Sequence, residues 1–281
     1  MPAEIPQMNN IGEAMAILEA IKEMHAQEGI RILSDSKLVI DSLTKYLGKN
    51  KDDRWIGTAN KLNVQVPGHL ASLSKKLSFT LVYISTDYVF DGTSPPYIPS
   101  SPTNPLQSYG QSKRDGELAV LAVNEASVIV LRVPVLQYGP TPNNSDSAIN
   151  ILLDVVQDQS GKVYKMDHYA TRYPTNILDI AQFLVRLSGY KKSIPPILHY
   201  SAAEPYTKYE ICLVLSKILN LPHEHIVPDA QSPTGTGAPT RPRDCQLYTR
   251  ETEELHIGEN GDASLGLSLF EEWWTTHLKG K

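Results

Sequence analysis

The sequence predicts an open α/β fold with a parallel sheet, on three observations. Two apolar runs, Leu81 to Ser85 and Ser127 to Val133, are rich in β-branched and aliphatic side chains, which is typical of buried strands. A helical pattern lies between them, from about Ser108 to Asn124. Hydroxyl residues follow the first run directly, at the strand end where open α/β sheets bind their ligands.

Composition and charge exclude several classes of protein. The chain has 281 residues, 41% of them hydrophobic and 20% charged, so a folded core is expected rather than disorder. A net charge of −5 argues against nucleic acid as the main partner, because phosphate backbones need a basic face. Cys212 and Cys245 form neither a disulfide framework nor a metal motif. With no signal pattern and no long apolar run, we expect a soluble, cytoplasmic protein that has no membrane partner.

The first 60 residues have an α-β-α pattern. A helical pattern runs from about Asn10 to Gln27 and ends before Gly29. Residues 30–33 are a short apolar run that predicts a strand. Ser34, Asp35 and Ser36 then offer an N-cap to a second helix, which extends to about Tyr46.

From about residue 63 the pattern changes, and longer predicted helices alternate with predicted strands. Leu70, Leu73 and Leu77 line a predicted helix that ends before Ser78, and a strand follows from Phe79 to Ile84. The loop at 231–242 is rich in Pro, Gly, Thr and Ser. The remaining predicted elements are helices at about 108–124, 149–156, 176–188, 208–219 and 267–278, and strands at 127–133 and 197–200.

The candidate chemistry is concentrated between residues 85 and 113. Ser85 and Thr86 end the first buried strand, and Tyr109 and Lys113 begin the helix after a Pro-rich loop. A spacing of four places the phenol and the ammonium on one helix face, where the ammonium favours the ionised phenol. Such a phenol can pass a proton to or from a carbonyl oxygen.

These residues resemble a known family. The string STDYVFDG at 85–92, together with YxxxK at 109–113, is similar to the extended short-chain dehydrogenase/reductases of the dTDP-4-dehydrorhamnose reductase branch. The resemblance implies a Rossmann-like sheet and a smaller C-terminal substrate-type lobe, placed here in residues 140–281. It implies that Thr86 orients a carbonyl, that Tyr109 donates a proton and that Lys113 lowers the pKa of Tyr109. The cofactor-binding residues that it implies are Ser85, Tyr109, Lys113, Arg132 and Pro134.

The glycine loop of that family is missing from this sequence. Family members open with a strand, a GxxGxxG loop and a helix, because the glycines let backbone N–H groups approach a dinucleotide pyrophosphate. No such loop occurs between Met1 and Leu81. The expected fold is therefore a Rossmann-like sheet without its usual N-terminal half. NADP is the cofactor that the resemblance implies, and the missing loop removes part of its site.

The N-terminal segment resembles a different protein family. Strings beginning at Asn9, Ser34 and Asp53 are similar to the central part of type-1 ribonuclease H domains. That resemblance makes Glu13 and Asp35 two of the four carboxylates that hold a pair of Mg²⁺ ions in such nucleases. The other two have no match, so we expect a vestigial site and no bound metal.

We place the boundary between the two resemblances near residue 60. Residues 1–60 form the ribonuclease H-like fragment, and residues 61–281 form the truncated reductase-like domain. The short strand of the fragment, residues 30–33, is hypothesised to dock on the reductase sheet in place of the missing half. An upstream segment that carries the glycine loop would be an alternative source of that half.

Later strings resemble a group within the reductase branch, the regulatory β subunits of methionine adenosyltransferase. These are MDH at 166–168, RYPT at 172–175 and RPRDCQL at 241–247. The resemblance implies a non-catalytic regulator that binds a methionine adenosyltransferase catalytic subunit and modulates S-adenosylmethionine synthesis. The alternatives are an NADPH-dependent reductase of a sugar nucleotide and, third, a ribonuclease H-type nuclease.

Two sets of residues can each be interpreted in two ways. His168 and Arg172 are either packing and surface residues or a binding pair, with Arg172 as an anion clamp. The aromatic residues of the last helix, Phe270, Trp273 and Trp274, either form a partner surface or pack on the chain itself.

Overall fold

A parallel four-stranded sheet is the centre of the fold. A computed structural model describes residues 30–33, 61–232 and 241–279 of the chain. The strand order is β1-β2-β3-β7, and each neighbouring pair is parallel. This confirms the predicted α/β class. The strands are β1 (Ile30–Leu33), β2 (Thr80–Thr86), β3 (Val128–Val133) and β7 (Ile197–His199).

Strand β1 comes from the segment that resembles ribonuclease H. It pairs with β2 from Ile30 opposite Thr80 to Leu33 opposite Tyr83. The hypothesis that this strand docks on the reductase-like sheet is therefore confirmed. The helices predicted on either side of β1, and with them Glu13 and Asp35, lie outside the described residues.

The helices of the described part follow the predicted order, with ends that agree within a few residues. Two small parallel pairs accompany them, one of β4 (Gln137–Tyr138) with β6 (Thr175–Asn176) and one of β5 (Tyr164–Asp167) with β8 (Ile226–Asp229). These four short strands were not predicted, because two to four residues carry little periodicity. The helices are α1 (Val66–Leu77), α2 (Ser108–Leu121), α3 (Leu152–Gln157), α4 (Ile177–Gly189), α5 (Lys208–Leu219), α6 (Arg250–Glu253) and α7 (Phe270–Lys279).

Helices cover both faces of the sheet, so its strands are apolar on both sides. Leu81 and Tyr83 of β2 face α1 and α2, where they pack with Val120. Val82 and Ile84 alternate to the other face and pack with the apolar side of α4. The carboxyl ends of β2 and β3 therefore emerge at one edge of a covered sheet.

Helix α1 buries a different face from the one predicted. Pro67, Ala71 and Ser74 are its buried residues, whereas Leu77 is 68% exposed. The reason is a close approach to α2, because a Cβ added at Gly68 would lie 3.5 Å from the Cβ of Ala119. Small residues suit such a contact better than leucines do.

A second core lies beyond the strand ends and contains α3, α5 and α7. Phe270 and Trp274 of α7 are fully buried there, and Trp273 is partly buried. Tyr138 packs against all three rings, with centroid separations of 4.9 to 6.1 Å. The aromatic residues of the last helix thus pack on the chain itself.

Two smaller expectations can be compared with the described ranges. The thiols of Cys212 and Cys245 are buried and free. None of the helices in these ranges has the length and apolar character needed to cross a membrane. Most of the predicted Pro- and Gly-rich loop, residues 233–240, lies outside the described part.

Candidate functional site

Thr86 is the last residue of β2 and is held in place by its own neighbours. Its hydroxyl donates a hydrogen bond of 2.9 Å to the Asp87 carboxylate and accepts one of 3.2 Å from the backbone N–H of Tyr88. It thereby caps the short 3-10 turn Asp87–Val89. The predicted hydroxyl therefore sits at the carboxyl end of a buried strand.

Helix α2 begins directly against that turn. A Cβ at Gly110 would overlap the carbonyl oxygen of Tyr88, so only glycine lets the first turn of α2 lie this close. Tyr109, the preceding residue, packs at the margin of the second core, to which Tyr88 also belongs. The tyrosine predicted to be catalytic thus lies where the sheet meets the second core.

Lys113 reaches the same strand end from one turn further along α2. It is fully buried, and its ammonium donates a hydrogen bond of 2.8 Å to the carbonyl oxygen of Ile84. The ammonium also lies 5.4 Å from the ring centre of Tyr83. Thr86 and the Lys113 ammonium therefore both lie at the end of β2, and Tyr109 precedes Lys113 by one turn of α2.

Asp87 is a buried carboxyl at this edge that the sequence analysis did not single out. It accepts a 2.9 Å hydrogen bond from the backbone N–H of Val135, so it joins the end of β2 to the loop that follows β3. Burial raises the pKa of Asp87 to about 6, and the positive charge of Arg172 opposes part of that rise. Pro134, predicted to border the cofactor, is buried in the same loop.

The other two predicted cofactor residues, Ser85 and Arg132, point to the face of the sheet beneath α2. The Ser85 hydroxyl donates to the Glu117 carboxylate at 2.5 Å. Arg132 forms a two-pronged ion pair with the same carboxylate, at 2.9 and 2.7 Å. Ser85 and Arg132 are 0% and 2% exposed, so both side chains are engaged inside the fold and apart from the Thr86 group.

His199 completes this buried network. Its Nδ1 lies 3.2 Å from the carbonyl oxygen of Tyr248, and its Nε2 lies 3.3 Å from Nη1 of Arg132. Since a carbonyl only accepts and a guanidinium only donates, Nδ1 carries the proton and Nε2 accepts. Burial, with Arg132 next to it, lowers the pKa of His199 to about 3. The ring is therefore neutral at physiological pH.

Spacing along α2 could have revealed the buried carboxylate. Gly110, Lys113 and Glu117 are all buried, and they recur at intervals of three and four residues. Glu117 is therefore one turn beyond Lys113 on the same face of the helix. No comparable signal marks His199, because it meets Arg132 only through the pairing of β3 with β7.

The described residues fit the nicotinamide end of NADP. Tyr109 and Lys113 supply the phenol and the ammonium that the resemblance assigns to cofactor binding, and Thr86 supplies the hydroxyl that it assigns to the substrate carbonyl. A buried ammonium anchored at a strand end is also chemically suited to hold a ribose hydroxyl. The glycines before β2 do not have GxxGxxG spacing, so the sequence supplies no counterpart for the pyrophosphate loop. In the described ranges no group of His, Cys, Asp and Glu is arranged to hold a metal.

Two family models match the sequence. The RmlD substrate binding domain matches residues 52–264, and RNase H matches residues 2–87. The second match confirms the N-terminal resemblance to ribonuclease H. The two matches overlap at 52–87, a range that contains the boundary predicted near residue 60.

Known proteins give three further comparisons. Methionine adenosyltransferase 2 subunit beta of Xenopus laevis is 42% identical over 212 residues, which is 74% of this chain and 62% of that protein. The dTDP-4-keto-6-deoxy-D-glucose reductase of Streptomyces niveus is 31% identical over 213 residues, 73% of this chain and 65% of that protein. The crystal structure of the Bacillus anthracis dTDP-4-dehydrorhamnose reductase in complex with NADP has the same fold, with a TM-score of 0.68 at 20% identity over 98% of this chain and 86% of that one.

The chain thus spans 62% of the length of the Xenopus relative. The match to the RmlD substrate binding domain begins before α1 and ends before α7, and it covers well over half of the sequence. The fold, the STDYVFDG strand end and the YxxxK helix agree with that match. The chain therefore belongs to the family of the RmlD substrate binding domain.

Proposed function

We propose that the chain is a non-catalytic regulatory subunit that binds a methionine adenosyltransferase catalytic subunit and modulates S-adenosylmethionine synthesis. The observation that carries the proposal is the 42% identity with methionine adenosyltransferase 2 subunit beta over 212 residues. The strings at 166–168, 172–175 and 241–247 first indicated this group. We also propose a cytoplasmic location, in keeping with two free thiols.

The geometry supports this proposal because the strings that resemble the regulatory subunits form one structural unit. A parallel bridge joins Thr171 to Asp244, and Arg172 donates a 3.0 Å hydrogen bond to the carbonyl oxygen of Pro242. Cys245 packs with Phe90 of the STDYVFDG string. Three segments that are distant in sequence thus build one region, which is expected if they serve a common role.

The test is complex formation between the full chain and a methionine adenosyltransferase catalytic subunit. Size-exclusion chromatography with light scattering should show co-elution, and S-adenosylmethionine synthesis should change when the chain is added. The variant Tyr109→Phe is the matched control, because a regulator does not need the phenol proton. The absence of a complex at micromolar concentrations of both proteins would refute the proposal.

An NADPH-dependent reductase of a sugar nucleotide is the second candidate. Thr86, Tyr109 and Lys113 at the end of β2 favour it, as does the 31% identity with the Streptomyces niveus reductase. NADPH supplies a hydride when bound, and the Tyr109 phenol would give its proton to the carbonyl oxygen that Thr86 orients. Carbonyl-dependent NADPH oxidation that falls by roughly 10²- to 10⁴-fold in Tyr109→Phe would establish this function.

Cofactor binding can be tested separately from catalysis. A ligand that binds only the native state stabilises it by about 2.7 kcal/mol at 100 times its Kd. If the nicotinamide end suffices, excess NADP⁺ should raise the thermal midpoint of the chain. An unchanged midpoint would mean that the missing glycine loop abolishes binding.

A ribonuclease H-type activity is the third candidate and is supported least. Glu13 and Asp35 supply two of the four carboxylates that the RNase H resemblance requires. Half of such a cluster would hold two Mg²⁺ ions poorly. We expect no cleavage of an RNA–DNA hybrid in the presence of Mg²⁺.

A further inference from the structure

Ser78 ends helix α1 in a backbone conformation that serine rarely adopts. Its φ of 54° and ψ of 46° lie in the left-handed region, and its N–H donates to the carbonyl oxygen of Ser74. Helices usually place glycine or asparagine at this position, because most side chains strain the backbone there. Since strained conformations tend to persist at functional positions, Ser78 is a candidate for a role other than packing.

The hydroxyl of Ser78 is open to an incoming reagent. The residue is exposed, and its hydroxyl makes no hydrogen bond with any residue of the described ranges. The other two serines of α1 differ in this respect. The Ser74 hydroxyl is buried and donates to the carbonyl oxygen of Ala71 at 2.8 Å, and the Ser72 hydroxyl donates to that of Gly68 at 3.1 Å. Ser78 therefore offers an accessible oxygen nucleophile.

Two lysines precede Ser78 at a fixed distance. Lys75 and Lys76 are both exposed and stand three and two residues before it. Two consecutive basic residues occur once in the sequence at this distance from a serine or threonine. Leu77, between them and the serine, is 68% exposed, and Phe79 follows with its side chain partly buried. The segment thus presents two positive charges and an apolar side chain next to an accessible hydroxyl.

The last turn of α1 is weakly held, so it can open into an extended segment. The N–H groups of Ser78 and Phe79 share one acceptor, the carbonyl oxygen of Ser74. Lys75 pairs with Glu125 at 2.8 Å, but these side chains are 47% and 81% exposed, and such pairs contribute little. All side chains of this turn after Ser74 are exposed, so its opening uncovers no core residue.

We propose that Ser78 is a phosphorylation site for a protein kinase whose peptide-binding groove is acidic. The two lysines complement such a groove, and the exposed hydroxyl accepts the phosphoryl group. The Ser78 oxygen attacks the γ-phosphorus of ATP, the bond from that phosphorus to the β,γ-bridging oxygen breaks, and ADP leaves. The hydroxyl proton passes to the catalytic base of the kinase.

The added phosphate would change the charges around the end of α1. It carries a charge of about −1.5 to −2 and lies one turn from Lys75, so it competes with Glu125 for that ammonium. The site precedes β2, whereas Thr86 is at the opposite end of that strand. It is therefore independent of the Tyr109 and Lys113 chemistry and of the proposed regulatory role.

Phosphorylation of the full chain in vitro tests the site. The chain is incubated with Mg²⁺, ATP and the catalytic subunit of cAMP-dependent protein kinase, and the modified residue is located by mass spectrometry. We expect phosphate on Ser78. Lys75→Gln combined with Lys76→Gln should lower the initial rate by roughly tenfold or more, because it removes the charges that the groove recognises. Ser78→Gly should abolish incorporation at this segment, and it should remain folded because glycine suits the left-handed conformation.

Lys191→Gln combined with Lys192→Gln is the matched control. These lysines are also consecutive and exposed, and they stand directly before an exposed serine, Ser193. The control removes the same charge but leaves the segment before Ser78 intact, so the rate at Ser78 should be unchanged. Thermal melts verify that all variants are folded. No incorporation, phosphate on Ser193 or on other residues in place of Ser78, or an equal loss of rate in the two double variants would overturn the proposal.

Discussion

At the scale of single residues, the Glu117–Arg132 ion pair has the clearest consequence for stability. Both side chains are about 3% exposed, and two hydrogen bonds join them. Arg132→Met removes one partner and leaves a buried carboxylate without its counter-charge. We expect it to lower the free energy of unfolding by about 3–5 kcal/mol, measured by urea denaturation.

Two comparisons identify the cause of that loss. The double variant Glu117→Gln with Arg132→Met removes both charges and should recover much of the stability, because no charge is left buried. Arg250→Met breaks an exposed pair with Glu254, so it should change the unfolding midpoint very little. A small effect of Arg132→Met would show that water reaches Glu117.

Asp87 gives a prediction about pH. Its pKa is raised in the folded state to about 6 from 3.8, so between those values the folded chain binds more protons than the unfolded chain. Stability from this residue is therefore greatest below pH 4 and falls as pH rises through about 6. The loss amounts to about 3 kcal/mol, because one unit of pKa corresponds to about 1.4 kcal/mol.

Asp87→Asn keeps the size and the acceptor oxygen of Asp87 and removes its titration. The free energies of unfolding of this variant and of the parent are measured at pH 4, 5, 6 and 7. The value for the variant minus the value for the parent should increase as pH rises. His199 titrates with the opposite sign, since its lowered pKa costs stability as pH falls below about 6.5. Because His199 is present in both proteins, the difference between them isolates Asp87. A difference that does not vary with pH would contradict the prediction.

At the scale of elements, the position of α2 depends on small residues at its contacts. A Cβ at Gly116 would collide with the carbonyl oxygen of Asn63 and the hydroxyl of Tyr83. Gly116→Ala should therefore destabilise the protein by about 1–3 kcal/mol, although alanine normally favours a helix. Chemical denaturation measures the change.

Gly189, the last residue of α4, is the matched control for this prediction. A Cβ there meets no atom within 4 Å, so Gly189→Ala should be neutral or stabilising by up to about 1 kcal/mol. Equal effects of the two substitutions would show that α2 does not pack as closely as its contacts indicate.

At the scale of the whole molecule, β1 joins the segment that resembles ribonuclease H to the reductase-like sheet. We propose residues 1–60 and 61–281 as two units, joined in the fold through four parallel register pairs between β1 and β2. Deleting residues 1–60 should expose the edge of β2, lower the thermal midpoint and promote aggregation.

Limited proteolysis tests the pairing of β1 with β2 in the intact chain. A protease-resistant fragment should begin before Ile30, because pairing with β2 protects the strand. Rapid loss of residues 1–60 with an unchanged thermal midpoint would mean that the ribonuclease H-like segment contributes nothing to the sheet.

The local features of this protein were predictable from its sequence. Lys113 follows Tyr109 by one helical turn, and Thr86 ends a buried strand, so both placements depend on near neighbours alone. The capping box of α5, in which Thr207 and Glu210 cap each other, is likewise set by residues three apart. Periodicity and caps act over a few residues, which is why the main helices and strands were predicted within a few positions.

The tertiary structure decided which polar groups meet and which apolar groups stay exposed. Arg132 was predicted to border a cofactor, and only the pairing of β3 with its neighbours places it between Glu117 and His199. The segments at 171–172, 206 and 244 are up to 73 positions apart in the sequence, and they meet through isolated bridges. The sequence by itself determined the family, the elements and the Thr86–Tyr109–Lys113 spacing. Contacts between distant segments depend on how the layers pack, and local patterns carry no record of that packing.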